Sequence, residues 1–179
     1  MATERIRYVD TGSAGGDGTT SALTGANAAY ASLSACEDAQ DGDLTAADVW
    51  LHVYCAATGG AADTAAVTFQ GSTLDATRYI LIEGATGHRA TLSGWKTDRY
   101  RMSISNNAAI AINDDYVRVD GLQIEVYDSD NAAKAPIYIS GITATNNDIR
   151  ITNCRIRADF NSGVNGIAVN NQDADTKLQ

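Results

Sequence analysis

The chain has 179 residues, 44% of them apolar, which is enough for one domain with a substantial core. Thirteen Lys and Arg stand against 22 Asp and Glu, a formal charge of −9 that repels a phosphate backbone, so nucleic acid is not an expected partner. Cys36, Cys55 and Cys154 are too widely spread for a disulfide framework or a zinc site, and no stretch reaches the roughly 18 apolar residues that span a bilayer.

The opening Met1 to Arg5 lacks the apolar segment of an export signal, so synthesis in a cytoplasm and no membrane partner are expected. Ile6-Arg7-Tyr8-Val9 alternates. The run Asp10 to Thr20 is rich in Gly and small polar residues and reads as a surface loop, without the Gly-Lys-Ser/Thr of a phosphate loop or the downstream Glu of a calcium loop. Asn27 is placed to cap a helix from Ala28 to about Gln40, with Tyr30, Leu33 and Cys36 on one stripe and Asp41-Gly42-Asp43 at its end. Such a helix would cover the open end of a stack of strands. The three cysteines read as small buried apolar residues.

Val49 to Tyr54 alternates, with Val49, Leu51 and Val53 predicted inward and Trp50, His52 and Tyr54 on the other side. Ala66 to Phe69 and Tyr79 to Gly84 follow as strands. Val117 to Val126 then returns 32 positions later as Ile149 to Ala158, each copy broken by a small turn residue, Gly121 or Asn153. Ile80 and Ile82 precede Val117 and Val119 by 37 positions and form a looser third member. A second series, Ile110/Ile112, Ile137/Ile139 and Ile167/Val169, advances in steps of 27 and 30.

Together these series predict coils of three strands. One coil holds Ile110/Ile112, Val117/Val119 and Leu122/Ile124, and the next holds Ile137/Ile139, Ile149/Ile151 and Cys154/Ile156. Coil length varies through inserted loops, chiefly 128–134 and 158–163, on the side where a solenoid presents its variable face. Parallel coils stack equivalent residues about 4.8 Å apart, so like aliphatics form ladders. An antiparallel sandwich needs no 32-residue return. On the outer face, Glu125 falls beside Arg157. Arg118 falls beside Arg150, a like-charge pair that calls for an acid such as Asp120 or Asp148 between them, or for a bound anion.

These rungs, together with Tyr8-Val9-Asp10, the Gly-rich loop, the capping helix and the first strand Val49 to Tyr54, resemble the right-handed parallel β-helices of the pectin-lyase-like superfamily. The resemblance covers nearly the whole chain. It implies an all-β fold, a single-stranded β-helix of about four coils with a short N-terminal capping helix. Residues 1–48 would supply the strand, loop and helix, and residues 49–179 the continuous coils. Members of that superfamily include polysaccharide lyases and hydrolases, bacteriophage tailspikes and virion surface proteins without known chemistry.

A lyase of this type implies calcium-binding acids and a basic residue on one outward sheet; a hydrolase implies two acids flanking a sugar. The carboxylates that compete are Asp114, Asp115, Asp120, Asp128 and Asp130, of which Asp114, Asp115 and Asp120 are the catalytic candidates. None fits a catalytic motif of the superfamily, and Asp114-Asp115 is ordinary turn chemistry. His52 and His88 have no Ser or Cys partner to activate. Four coils make a short groove, and the segment 173–179 contains no recognisable closing element. The expectation is a non-catalytic virion module of a bacteriophage, a capsid decoration protein or the base of a tail fibre or spike. It would work with other virion proteins and as a homo-oligomer, a trimer among the options, without cofactor or metal. The alternatives are a glycan-cleaving enzyme, with calcium if a lyase, and a carbohydrate-binding module stacking sugars on Trp50, Tyr54, Trp95 or Tyr100.

Overall fold

The computed structural model describes residues 1–127, 135–142, 147–159 and 166–170. The inserted loop 128–134 with Asp128 and Asp130, residues 160–163 and the segment 173–179 lie outside them. Among the described residues the chain is mostly strand, with two short helices. A five-stranded sheet runs in the order β1 (Thr3–Asp10), β2 (Val49–Ala56), β4 (Ile80–Gly84), β7 (Val117–Asp120), β10 (Arg150–Thr152). A three-stranded sheet holds β5 (Arg101–Ser105), β8 (Gln123–Tyr127) and β11 (Arg155–Asp159), with β8 central. A four-stranded sheet runs β3 (Val67–Phe69), β6 (Ile110–Ile112), β9 (Ile137–Ser140), β12 (Ile167–Asn170). Every pairing in the three sheets is parallel. From β4 onward the chain visits the five-, three- and four-stranded sheets in that order on each passage.

The registers are those of the sequence repeat. Val119 faces Ile151 and Ile82, Ile124 faces Ile156, and Ile137 faces both Ile110 and Ile167. These side chains meet in one apolar core, where Ile82, Ile110, Ile112, Val117, Val119, Ile124, Ile137 and Ile139 are fully buried. Alternation with period two places them there, because successive side chains of a strand point to opposite faces. The turn residues have a backbone reason. Gly121 (φ +70°) and Asn153 (φ +52°) both sit in the left-handed region, which glycine and asparagine tolerate best. At Gly121 a Cβ would also come within 3.0 Å of the Arg89 guanidinium.

Two local expectations change. The helix α1 spans Leu33–Gln40 and is capped by Ser32, whose side chain accepts from the Ala35 N–H at 3.1 Å; it does not begin at Asn27. Tyr30 is bridged to β1 instead, exchanging backbone hydrogen bonds with it: its N–H donates to the Tyr8 carbonyl and its carbonyl accepts from the Asp10 N–H, both at 2.9 Å. The predicted stop holds, with the helix ending at Asp41. Leu33 and Cys36 enter the core, and α1 packs on β1 and β3. Asp43 caps the following one-turn helix α2 (Leu44–Ala47). The Gly-rich loop is a close-packed element as well as a connection. Its Gly18 N–H donates to the Ala28 carbonyl, and a Cβ at Gly18 would lie 2.2 Å from the Tyr30 ring, so glycine is what lets the loop lie flat on that ring.

Candidate functional site

The outer face of the five-stranded sheet carries a continuous cluster of polar and aromatic side chains. Alternation puts Glu4 on β1, Trp50, His52 and Tyr54 on β2, Glu83 on β4 and Asp120 on β7 on that face, and parallel pairing brings them side by side. The buried His52 ring is held from both flanks. Its Nδ1 lies 2.7 Å from Glu4 Oε1 and its Nε2 lies 3.0 Å from Glu83 Oε2. Glu83 is shared with Arg89, whose second nitrogen pairs with Asp120. Asp120 then accepts from the Thr152 hydroxyl (2.8 Å) and the Asn153 amide (2.7 Å), so one chain of ion pairs and hydrogen bonds crosses all five strands. Burial alone would raise the Asp120 carboxyl, but the bonds from Arg89, Asn153 and Thr152 outweigh it and hold it below the usual carboxylate range.

An aromatic row accompanies this chain. The Arg118 guanidinium lies 3.8 Å from the Tyr79 ring centre, Tyr79 stacks on Trp50 (5.1 Å), Trp50 on His52 (5.3 Å), and Tyr54 follows at 4.0 Å from His52 and 5.8 Å from Tyr8. Arg118 and Arg150 form the stacked pair the repeat implies, and Asp148 is the acid between them, at 2.5 Å from one and 2.6 Å from the other. Those two arginines overcome the burial of Asp148 and lower its carboxyl. Glu125 and Arg157 also pair as expected, at 2.6 Å, and Arg157 covers the Trp95 ring at 3.9 Å.

The catalytic candidates do not converge. Asp120 belongs to the polar chain just described. Asp114, by contrast, is buried near α1, where it accepts from the Ser72 N–H at 3.2 Å. Burial pushes its carboxyl up to about 6, and burial pushes Glu37 on the same side up to about 7. Asp115 follows Asp114 in the bend between β6 and β7. His88 accepts from the Ala57 N–H through Nδ1 at 3.2 Å, a structural bond. Of the proposed sugar platforms, Tyr100 is fully buried and Trp95 lies under Arg157, whereas Trp50 and Tyr54 have ring faces engaged within the row. Beside Tyr8 and Tyr54 there is a groove of about 440 Å³, lined also by Ile6, Ser21, Ala29 and Thr86.

The cysteines are free; Cys36 and Cys55 are buried. Burial pushes Cys36 up to about 12, Cys154 up to about 11 and Cys55 upward, so none is a reactive thiolate. Among the described residues no three His, Cys, Asp or Glu side chains are grouped to hold a metal ion, and no helix is long and apolar enough to cross a membrane. Comparison with family models, curated proteins and solved structures finds no match to this chain.

The buried acids set the pH dependence of stability. Glu37, Asp114 and Asp63 are all raised by burial. A carboxyl whose folded pKa is raised binds its proton more tightly in the folded state, so its contribution falls as pH climbs from the ordinary carboxylate range, about 4, through the folded value. Asp120 and Asp148 are lowered, so their contribution is lost only below that range. The melting temperature is therefore expected to be higher at pH 5 than at pH 8, by about 5 °C. Glu37→Gln should shrink the difference, which a pair of thermal melts at each pH will read.

Proposed function

We propose that the three sheets are the faces of a right-handed parallel β-helix of the pectin-lyase-like type. We further propose that the chain is a non-catalytic structural module of a bacteriophage virion, a capsid decoration protein or the base of a tail fibre or spike. The fixed order in which the chain visits its sheets, with every pairing parallel, supports the coil. One observation carries the non-catalytic reading: Asp120, Asp148 and His52 each bond to side chains of neighbouring strands, where they hold the stack together, and among the described residues these three leave no acid and base facing a common reacting atom. Partners in this reading are other virion proteins and further copies of the chain.

The test joins two measurements on the purified protein. Light scattering after size exclusion should give a stable oligomer, a trimer in the simplest case. A screen of capsular and plant polysaccharides, with and without calcium, should release neither reducing ends nor unsaturated products. A monomer without affinity for particle proteins, or cleavage of any glycan, overturns the proposal. A second reading, binding of a glycan without cleavage, is favoured by the groove beside Tyr8 and Tyr54. It requires affinity that Tyr8→Ala removes.

A further inference from the structure

We infer that His52 is a proton-dependent clamp that holds the first half of β1 on the five-stranded sheet. A carboxylate only accepts hydrogen bonds, and a neutral imidazole donates through one nitrogen alone. Both ring nitrogens of His52 nevertheless face carboxylate oxygens, Glu4 at 2.7 Å and Glu83 at 3.0 Å. Two short bonds therefore need two protons among these three groups, whichever atoms hold them. The surroundings make the arrangement tight: Trp50 and Tyr54 close over the two sides of the ring, and Ile6 and Leu81 are its neighbours across the strands. Among the described residues the chain of contacts continues to Arg89, which pairs with Glu83, and to Asp120, which pairs with Arg89, and the Tyr54 phenol faces both Glu83 and Glu4.

Loss of one proton leaves a lone pair facing a carboxylate, and the two flanks respond unequally. Glu83 keeps Arg89. Glu4 has no second cation in that chain, and its side chain is 39% exposed against 27% for Glu83, so water takes it more readily. The strand that loosens is then β1, which contributes Glu4, and β4 stays in place. The effect is local, because Val9 and Asp10 at the far end of β1 remain fixed by the core and by the bonds from Gly12 and Thr58 to the Asp10 carboxylate.

Amide hydrogen exchange on the intact chain tests the clamp, with the protection of Thr3 to Arg7 expressed relative to that of Val117 to Asp120 so that the common pH effect cancels. When the pH is raised from about 6 to about 9, this ratio should fall roughly tenfold, the worth of one charge-assisted bond. In Glu4→Gln the ratio should stay level, because an amide accepts from a protonated nitrogen and donates to a bare one. At the lower pH the nitrogen resonances of the His52 ring should report a proton on each side. A level ratio in the native chain, an equal fall in Glu4→Gln, or a ring nitrogen with no hydrogen-bonded proton on its side at pH 6 overturns the inference.

Discussion

Asp63→Ala is expected to destabilise the fold by about 3–5 kcal/mol, a large fraction of the roughly 5–15 kcal/mol of an ordinary domain. Asp63 is 2% exposed. Its Oδ2 accepts from the first N–H of α1, that of Leu33, at 2.8 Å and from the Tyr100 hydroxyl at 2.7 Å, while its Oδ1 accepts from the Ala65 N–H at 3.0 Å. Its backbone pairs with β5 beside Met102, where the three-stranded sheet would otherwise present an open edge. One carboxylate thus joins the helix, the lead into β3 and the segment before β5. Alanine leaves two buried donors and one half-buried donor without an acceptor, and it is that desolvation penalty, more than the lost bonds, that sets the size of the effect. Tyr100→Phe removes one donor and keeps the acceptor, and should cost only about 1–2 kcal/mol. Urea unfolding of the three proteins reads the order; a loss below about 1 kcal/mol for Asp63→Ala would contradict it.

Ile124→Ala should follow at about 2–5 kcal/mol, with the slope against denaturant unchanged. Ile124 is fully buried and lies between Met102 and Ile156 of the flanking strands, so truncation opens a cavity in the middle of a ladder that closely packed neighbours can only partly fill. The next residue on the same strand gives the contrast. Glu125 faces outward to Arg157 and the Ser103 hydroxyl, and Glu125→Ala should cost under about 1 kcal/mol, as exposed ion pairs generally do. Equal losses at the two positions would mean that the alternation does not separate core from surface.

The contrast between Ile124 and Glu125 was legible in the sequence because a stacked coil repeats both its alternation and its register. Val117 to Val126 against Ile149 to Ala158 needed no more than that, and the pairings of Ile80 with Val117 and Ile110 with Ile137 followed from the same pattern. β5 was not seen. Met102 and Ile104 occupy the rung before Ile124 and Val126, but residues 85–100 separate β5 from β4, whereas two residues separate β8 from β7, and that insertion hides the equivalence. The insertion itself is tied down by Gln123, whose buried amide accepts from the Lys96 N–H at 2.7 Å and donates to the Lys96 carbonyl at 2.8 Å.

The outer-face site was only half legible. The pair one repeat apart, Arg118 with Arg150, and the need for an acid such as Asp148 between them could be counted along the chain. The bonds from His52 to Glu4 and Glu83 join residues 48 and 31 positions apart through strands outside the clear repeat, and no local spacing announces them. The apolar alternation of Ile6 and Tyr8 was visible, but their phase was not: both lie on the outer face, where Ile6 is 36% exposed and Tyr8 stacks on Tyr54, while Val9 turns inward. Asp63 gave no signal because a lone acid in a polar stretch reads as a turn residue, and its value lies in donors from two distant segments.

Everything depends on the strands lying one above another in parallel register, and the nuclear Overhauser spectrum of the isotope-labelled chain reads this most directly. Amide-to-Hα contacts of parallel pairs are predicted to link Ile82 with Val119, Val119 with Ile151, and Ile112 with Ile139. Short Hα-to-Hα contacts of antiparallel pairs between the 117–126 and 149–158 segments, or no contacts between them, would contradict the account.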